Sequence, residues 1–237
     1  MTQLLISVKN VQEAALVLAN DIDLIDLKDP SNGALGALDL TLSAQIVKWV
    51  KAQNKPSVTI SATVGEQSES LAALLIAIKQ RAEIGVDVVK IAVCDFFYQA
   101  DFINEIQKLT KNNIKIVAVF FADNALDLDL LPKLSQAGFY GAMCDTQQKA
   151  QHLLHYQSKK ALHLFTHFCH QNQLMCGLAG SLQPQHIVEL LETKPKYIGF
   201  RSGVCENNRR DANLSQVKLI DAQNMLRNGN KNSINPY

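Results

Sequence analysis

Residues 23–52 read DLIDLKDPSNGALGALDLTLSAQIVKWVKA, and they contain one complete structural unit. Leu24–Leu27 is a short apolar run of strand length, a glycine-rich turn follows it, and Thr41–Ala52 carries apolar residues at helical spacing. The same order recurs on both sides of this stretch. Strands are predicted at Leu4–Val8, Leu24–Leu27, Val58–Thr63, Val88–Val93, Ile114–Phe121, Gly141–Cys144, Met175–Ala179 and Tyr197–Phe200. Helices are predicted at Val11–Leu18, Thr41–Ala52, Ser70–Ile84, Tyr98–Leu109, Asp129–Gln136, Ser158–Gln171, Gln183–Leu191 and Ser215–Arg227.

Regular βα alternation requires parallel strands joined by right-handed crossovers. With eight such units in 237 residues, the sheet is expected to close into an α/β (β/α)8 (TIM) barrel. A doubly wound open sheet is the alternative that the same alternation allows. No composition shift or Pro/Ser-rich linker divides the chain, so residues 1–228 are read as a single domain. Residues 229–237, which hold Gly229 and Pro236 among few apolar neighbours, are read as a flexible polar tail.

Composition excludes several classes of partner. Hydrophobic residues are 47% and charged residues 19%, which is enough apolar material for a layered core. Lys plus Arg is 23 against 22 for Asp plus Glu, so the chain lacks the basic excess of a nucleic-acid or acidic-membrane binder. No apolar run reaches the roughly 18 residues of a membrane span, and no secretory signal opens the chain, which points to the cytoplasm. The five cysteines, Cys94, Cys144, Cys169, Cys176 and Cys205, contain no CxxC pair and read as reduced core residues.

In a parallel barrel the chemistry gathers where strands end, so ionisable residues at the close of apolar runs are informative. Asp26 and Lys28 are two residues apart and therefore share one face of a strand. Lys90 ends Asp-Val-Val-Lys, Asp145 ends Gly-Ala-Met-Cys-Asp with Lys149 four residues on, and Arg201 ends Ile-Gly-Phe-Arg. Each alone reads as a rim charge, but a closed barrel brings all of them to one mouth. A lysine that is crowded by other cations and desolvated has its neutral amine favoured, and a neutral amine attacks carbonyls.

Two glycine-rich stretches suit phosphate. Gly177-Leu-Ala-Gly180-Ser181 and Arg201-Ser202-Gly203-Val204 leave the seventh and eighth strands, where barrels bind phosphoryl groups on backbone N–H donors. The Asn32–Gly36 turn either cradles a second anion or simply folds its loop. Ser61 and Thr63 can reach the mouth. His163, His167 and His170 share a helix face opposite the apolar Leu162, Phe165, Phe168 and Cys169, and are read as solvated, so no metal is assigned. Neither a GxGxxG nor a GxxxxGK[ST] pattern supports a nucleotide cofactor.

The motifs DLKDPSNGALGA (26–37), SATVG (61–65), VKI (89–91), CDTQQK (144–149), GLAGS (177–181) and RSGVC (201–205) resemble those of the (5-formylfuran-3-yl)methyl phosphate synthase family of methanofuran biosynthesis. The family is also called 4-(hydroxymethyl)-2-furancarboxaldehyde-phosphate synthase, and the resemblance runs to about Ser215. It implies a barrel lyase that condenses two glyceraldehyde 3-phosphates, losing phosphate and water. It further implies Lys28 as the Schiff-base lysine, Lys149 as general acid/base, and Asp26, Lys90 and Asp145 as supporting residues. The chain departs from the pattern at Phe120-Phe-Ala-Asp123, where relatives often carry a tyrosine before Ala-Asp, and at Cys144, where they often carry leucine. The implied conversion is redox-neutral and needs no cofactor. A triose phosphate is then the partner, and a homo-oligomer built through outer helices is expected. The alternatives are a Schiff-base phosphosugar aldolase or isomerase, and a non-catalytic barrel that binds a phosphometabolite.

Overall fold

The computed structural model describes residues 1–234. Eight parallel strands close in sequence order: β1 (Gln3–Val8), β2 (Leu24–Leu27), β3 (Thr59–Thr63), β4 (Val88–Ala92), β5 (Lys115–Phe121), β6 (Gly141–Asp145), β7 (Met175–Leu178) and β8 (Tyr197–Phe200), with β8 pairing back onto β1. Around them run α1 (Val11–Ala19), α2 (Leu40–Ala52), α3 (Leu71–Glu83), α4 (Ala100–Lys111), α5 (Leu130–Gln136), α6 (Leu153–Tyr156), α7 (Lys159–Gln171), α8 (Ile187–Leu191) and α9 (Gln216–Ile234). The closed-barrel expectation holds, and the open sheet is excluded.

Local chemistry explains where the elements start and stop. Asn10, Asp39, Ser70 and Ser158 each accept a hydrogen bond from the backbone N–H three residues on, capping α1, α2, α3 and α7. At the opposite ends the chain turns into the next strand through a left-handed residue: Asp21, Asn54, Gly85, Asn113, Gly138, Gln173 or Lys194. These turns are short. The longer loops all lie at the other end of the barrel, where the strands finish.

Alternation sorts the strand side chains into two cores. Outward-facing residues such as Ile6, Ile25, Ile60, Ile91, Ile116 and Ile198 pack under the helices. Inward-facing Leu5, Val88, Val117, Val119, Met143 and Tyr197 fill the barrel's lower interior. His163, His167 and His170 are exposed on α7, as expected, but so is Phe168, which departs from the expected apolar stripe. Four cysteines are buried and Cys94 is half-buried; all five are free thiols.

Several elements differ from the sequence reading: α6 has no predicted counterpart, and the predicted Gln183–Leu191 helix is a 3-10 turn, Pro184–His186, followed by α8. The predicted helix from Tyr98 is a 3-10 turn, Asp95–Tyr98, followed by α4 from Ala100. The expected tail from residue 229 continues α9 to Ile234, while residues 235–237 lie outside the described residues. Tertiary contacts override the polar composition there. Asn230 exchanges two hydrogen bonds with the backbone of Thr2, and a Cβ on Gly229 would meet Leu191 Cδ1 at 2.3 Å, so glycine lets α9 approach α8. Among the described residues no helix is long and apolar enough to cross a membrane.

Candidate active site

Above the apolar floor the barrel interior turns polar. Register places Ser7, Asp26 and Ser61 side by side on β1, β2 and β3. Asp26 accepts from Ser61 Oγ at 2.7 Å, from Ser7 Oγ at 3.1 Å, and from Lys90 Nζ at 2.7 Å. Every member is buried, so the lysine is compensated by a carboxylate whose Oδ1 also accepts from the Ser61 hydroxyl and whose Oδ2 accepts from that of Ser7. Burial pushes the Lys90 amine below its ordinary value, Asp26 opposes that, and the charge of Lys28 adds to the lowering. Thr63 does not join this group; its hydroxyl donates to Gly36 O at 2.9 Å and pins the loop after β2.

One level higher, Asp145 stands between two lysines. Its Oδ1 accepts from Lys149 Nζ at 2.8 Å and from Thr146 N–H at 2.8 Å, and its Oδ2 lies 3.5 Å from Lys28 Nζ. Burial alone would raise this carboxyl, but the charges of Lys149 and Lys28 hold it well below the usual carboxylate range. Burial pulls Lys149 down to about 8, helped by Lys28 and Arg210 and opposed by Asp145. Asp123 accepts from the N–H groups of Gln147 and Gln148 at 2.5 and 2.8 Å, fixing the loop that carries Lys149. This is the part played by the Phe120–Asp123 segment, whose Phe120 faces Phe165 in the outer core.

Lys28 is thus 7% exposed, turned inward, and in the electrostatic field shared by Lys90 and Lys149. Of the three amines it has the loosest carboxylate contact, 3.5 Å against 2.7 Å for Lys90 and 2.8 Å for Lys149. A cavity of about 350 Å³ opens directly over these groups, also lined by Gly180, Ser181, Arg201, Ser202 and Arg210. That volume suits a small metabolite.

The residues predicted for phosphate divide. Gly180 and Gly203 are glycines because loops pass closely there: an added Cβ would meet Thr146 N at 2.9 Å and Leu182 O at 2.1 Å, and Gly180 has φ +120. Among the described residues the N–H groups of Gly180, Ser181 and Ser202 have no acceptor outside regular helix or strand bonding, and these residues line the cavity, whereas Gly203 is buried outside its lining. Gly177 is a correction. It sits within β7 beneath Tyr197, whose ring a Cβ would strike at 2.2 Å, so its role is packing.

Arg201 is the second correction. Its guanidinium pairs with buried Glu13 at 2.6 and 3.1 Å and donates to Ser7 O, Arg210 O and Ala212 O, so all five N–H groups are taken. The arginine with donors to spare is Arg210, which the sequence reading missed; only its place in the Arg-Arg-Asp run after the eighth strand hinted at it. The Asn32–Gly36 turn is likewise resolved, because the Glu66 carboxylate already accepts from Ala34 N–H and, at 3.0 Å, from Leu35 N–H.

Fold and site together define a (β/α)8 barrel with an amine-rich cavity at the C-terminal ends of its strands. Residues 4–223 match the family model described as 4-HFC-P synthase, and the chain belongs to that family. A protein of Methanocaldococcus jannaschii named (5-formylfuran-3-yl)methyl phosphate synthase is 30% identical over 230 residues, covering 92% of this chain and 96% of its own. A Methylorubrum extorquens protein, provisionally given the same name, is 34% identical over 228 residues, covering 96% and 92%. Among solved structures, phosphoribosyl anthranilate isomerase from Thermus thermophilus superposes with a TM-score of 0.65 at 13% identity, covering 96% of this chain and 99% of its own. The 3-hexulose-6-phosphate synthase of Salmonella typhimurium gives 0.64 at 15%, covering 96% and 100%. At those identities the likeness is one of fold.

Proposed function

We propose that the protein is a (5-formylfuran-3-yl)methyl phosphate synthase acting as a carbon–oxygen lyase through a Lys28 Schiff base. In this reading two glyceraldehyde 3-phosphates yield one furan phosphate, one phosphate and two waters, so atoms balance without an oxidant or reductant. The observation that carries it is Lys28 itself, buried at the cavity floor beside two lysines that hold the nearer carboxylate oxygens.

The neutral Lys28 amine attacks the aldehyde carbon, and the resulting iminium withdraws electrons from the adjacent carbon, making its proton removable. The enamine so formed expels phosphate from the next carbon, leaving an unsaturated iminium whose terminal carbon is attacked by the second triose through its own deprotonated C2. Ring closure with loss of two waters and hydrolysis of the imine then free Lys28. Lys149, lowered by burial to about 8, takes and returns the protons. Asp145 steadies the ammonium form of Lys149 and the iminium of Lys28, while Asp26 and Lys90 form the fixed polar wall beneath. The N–H groups of Gly180, Ser181 and Ser202 at the cavity suit a phosphoryl group.

The test is incubation of purified protein with glyceraldehyde 3-phosphate alone. An ultraviolet-absorbing furan and one phosphate per two trioses are expected, together with a borohydride-stable adduct mapped to Lys28. A hexose or ketose bisphosphate formed without phosphate release would assign an aldolase or isomerase instead. Neither adduct nor turnover would leave a binding protein.

A further inference from the structure

Between β8 and α9 the chain forms a strap over the barrel mouth. Cys205 and Leu214 pair as an antiparallel bridge, and Glu206 N–H donates to Asn213 O at 3.0 Å. Inside this closure Asn207 and Asn208 are both left-handed, with φ of 52 and 56. Two successive non-glycine residues in that region are strained and persist only when their surroundings hold them. Lys218 Nζ does so by donating to Cys205 O at 2.9 Å and Asn208 Oδ1 at 2.6 Å, and Arg201 grips the far limb at Arg210 O and Ala212 O.

What the strap presents is the half-buried Arg210 guanidinium at the cavity wall. One Nη2 N–H donates to Gly33 O at 2.7 Å, in the loop that follows Lys28, and among the described residues Nε and Nη1 have no acceptor. Nearby carboxylates are committed elsewhere: Asp145 to Lys149, Glu66 to the Ala34 and Leu35 amides, Asp29 to Ser31. Lys28, Lys90, Lys149 and Arg210 face only Asp26 and Asp145 within the cavity lining, an excess of positive charge that an anionic ligand would neutralise.

We propose that Arg210 is the specificity residue for a phosphate monoester, donating its free N–H groups to the phosphoryl oxygens while its remaining bond holds the Lys28 loop in place. The anion subsite follows from the strap alone; that its ligand is an aldehyde phosphate rests on the synthase reading above.

The experiment titrates inorganic phosphate into the full-length protein and its Arg210→Gln and Arg210→Lys variants by calorimetry. In parallel it measures borohydride trapping with glyceraldehyde 3-phosphate and with unphosphorylated glyceraldehyde. Loss of charge-assisted bonds predicts phosphate binding weakened about 10- to 100-fold in Arg210→Gln, with Arg210→Lys between. Half-saturation for trapping rises comparably for the phosphorylated aldehyde and by a clearly smaller factor for glyceraldehyde, which loses only the bond that holds the Lys28 loop. Unaltered phosphate affinity in Arg210→Gln, equal losses for both aldehydes, or no phosphate binding by the parent protein would each overturn the assignment. If the parent traps neither aldehyde, the synthase reading fails, and the phosphate titration still decides Arg210.

Discussion

Replacing Arg201 with alanine separates a structural buckle from a phosphate ligand. Arg201 and Glu13 have side-chain exposures of 8% and 5% and meet at 2.6 Å. Removing the arginine strands a buried carboxylate whose remaining partner is the Lys9 N–H at 2.9 Å. Breaking a buried pair from one side costs about 3–5 kcal/mol, a large share of the roughly 5–15 kcal/mol that holds a domain folded. At roughly 2–4 °C per kcal/mol for a chain of this size, Tm should fall by about 6–20 °C. The assay is thermal unfolding followed by circular dichroism without ligand, because phosphate affinity should also drop once the strap carrying Arg210 loses its anchor. Adding Glu13→Gln to Arg201→Ala should recover part of the loss, since no charge is then stranded. A Tm within about 2 °C of the parent protein, with phosphate binding abolished, would refute the buckle and return Arg201 to the ligand set.

Lys28→Arg keeps the charge but forms no imine, so borohydride trapping and turnover should vanish while the circular dichroism spectrum stays the same; residual trapping at this position's peptide would contradict the assignment. If the Lys149 ammonium is the proton donor, turnover declines as pH rises through about 8, and Asp145→Asn shifts that limb to lower pH by removing the attraction that holds Lys149 charged. The stability linkage has a fixed sign: the folded-state value of about 8 lies below the ordinary 10.5, so the unfolded chain binds more protons in that window. Lys149 therefore destabilises the fold less as pH climbs from 8 towards 10.5, and stability in Lys149→Met should lack that rise. Gly177→Ala drives a Cβ into the Tyr197 ring at 2.2 Å, and chemical denaturation should report about 1–3 kcal/mol of overpacking loss.

The barrel was legible because each strand carries its own evidence. Period-two placement put Asp26 beside Lys28 on one face, and the structure turns that face into the barrel. Lys90, Asp145 and Lys149 were found the same way, as charges ending apolar runs. Three features were hidden because long-range geometry sets them. Gly177 looks like a phosphate glycine until the Tyr197 ring is placed over it. Arg201 looks like a ligand until Glu13, far off in sequence, closes on it. Arg210 lies in a loop of irregular backbone, so no periodicity marks it, and its worth depends on Asn207 and Asn208 turning the chain back over the mouth.

Charge balance explains why phosphate recognition and the nucleophile sit on different residues in the proposed mechanism. Three amines share two carboxylates; Asp26 holds Lys90 and Asp145 holds Lys149, leaving Lys28 with the longest contact. Buried at the cavity and held by a carboxylate only loosely, its nitrogen is the one of the three placed to meet an aldehyde carbon. A phosphate dianion brought directly against Lys28 would engage that amine and suppress attack. Receiving that dianion on Arg210 and the amides of Ser181 and Ser202 matches the negative charge with a guanidinium that stays protonated throughout. The Arg210 bond to Gly33 O then transmits occupancy to the loop following Lys28 through position rather than through charge.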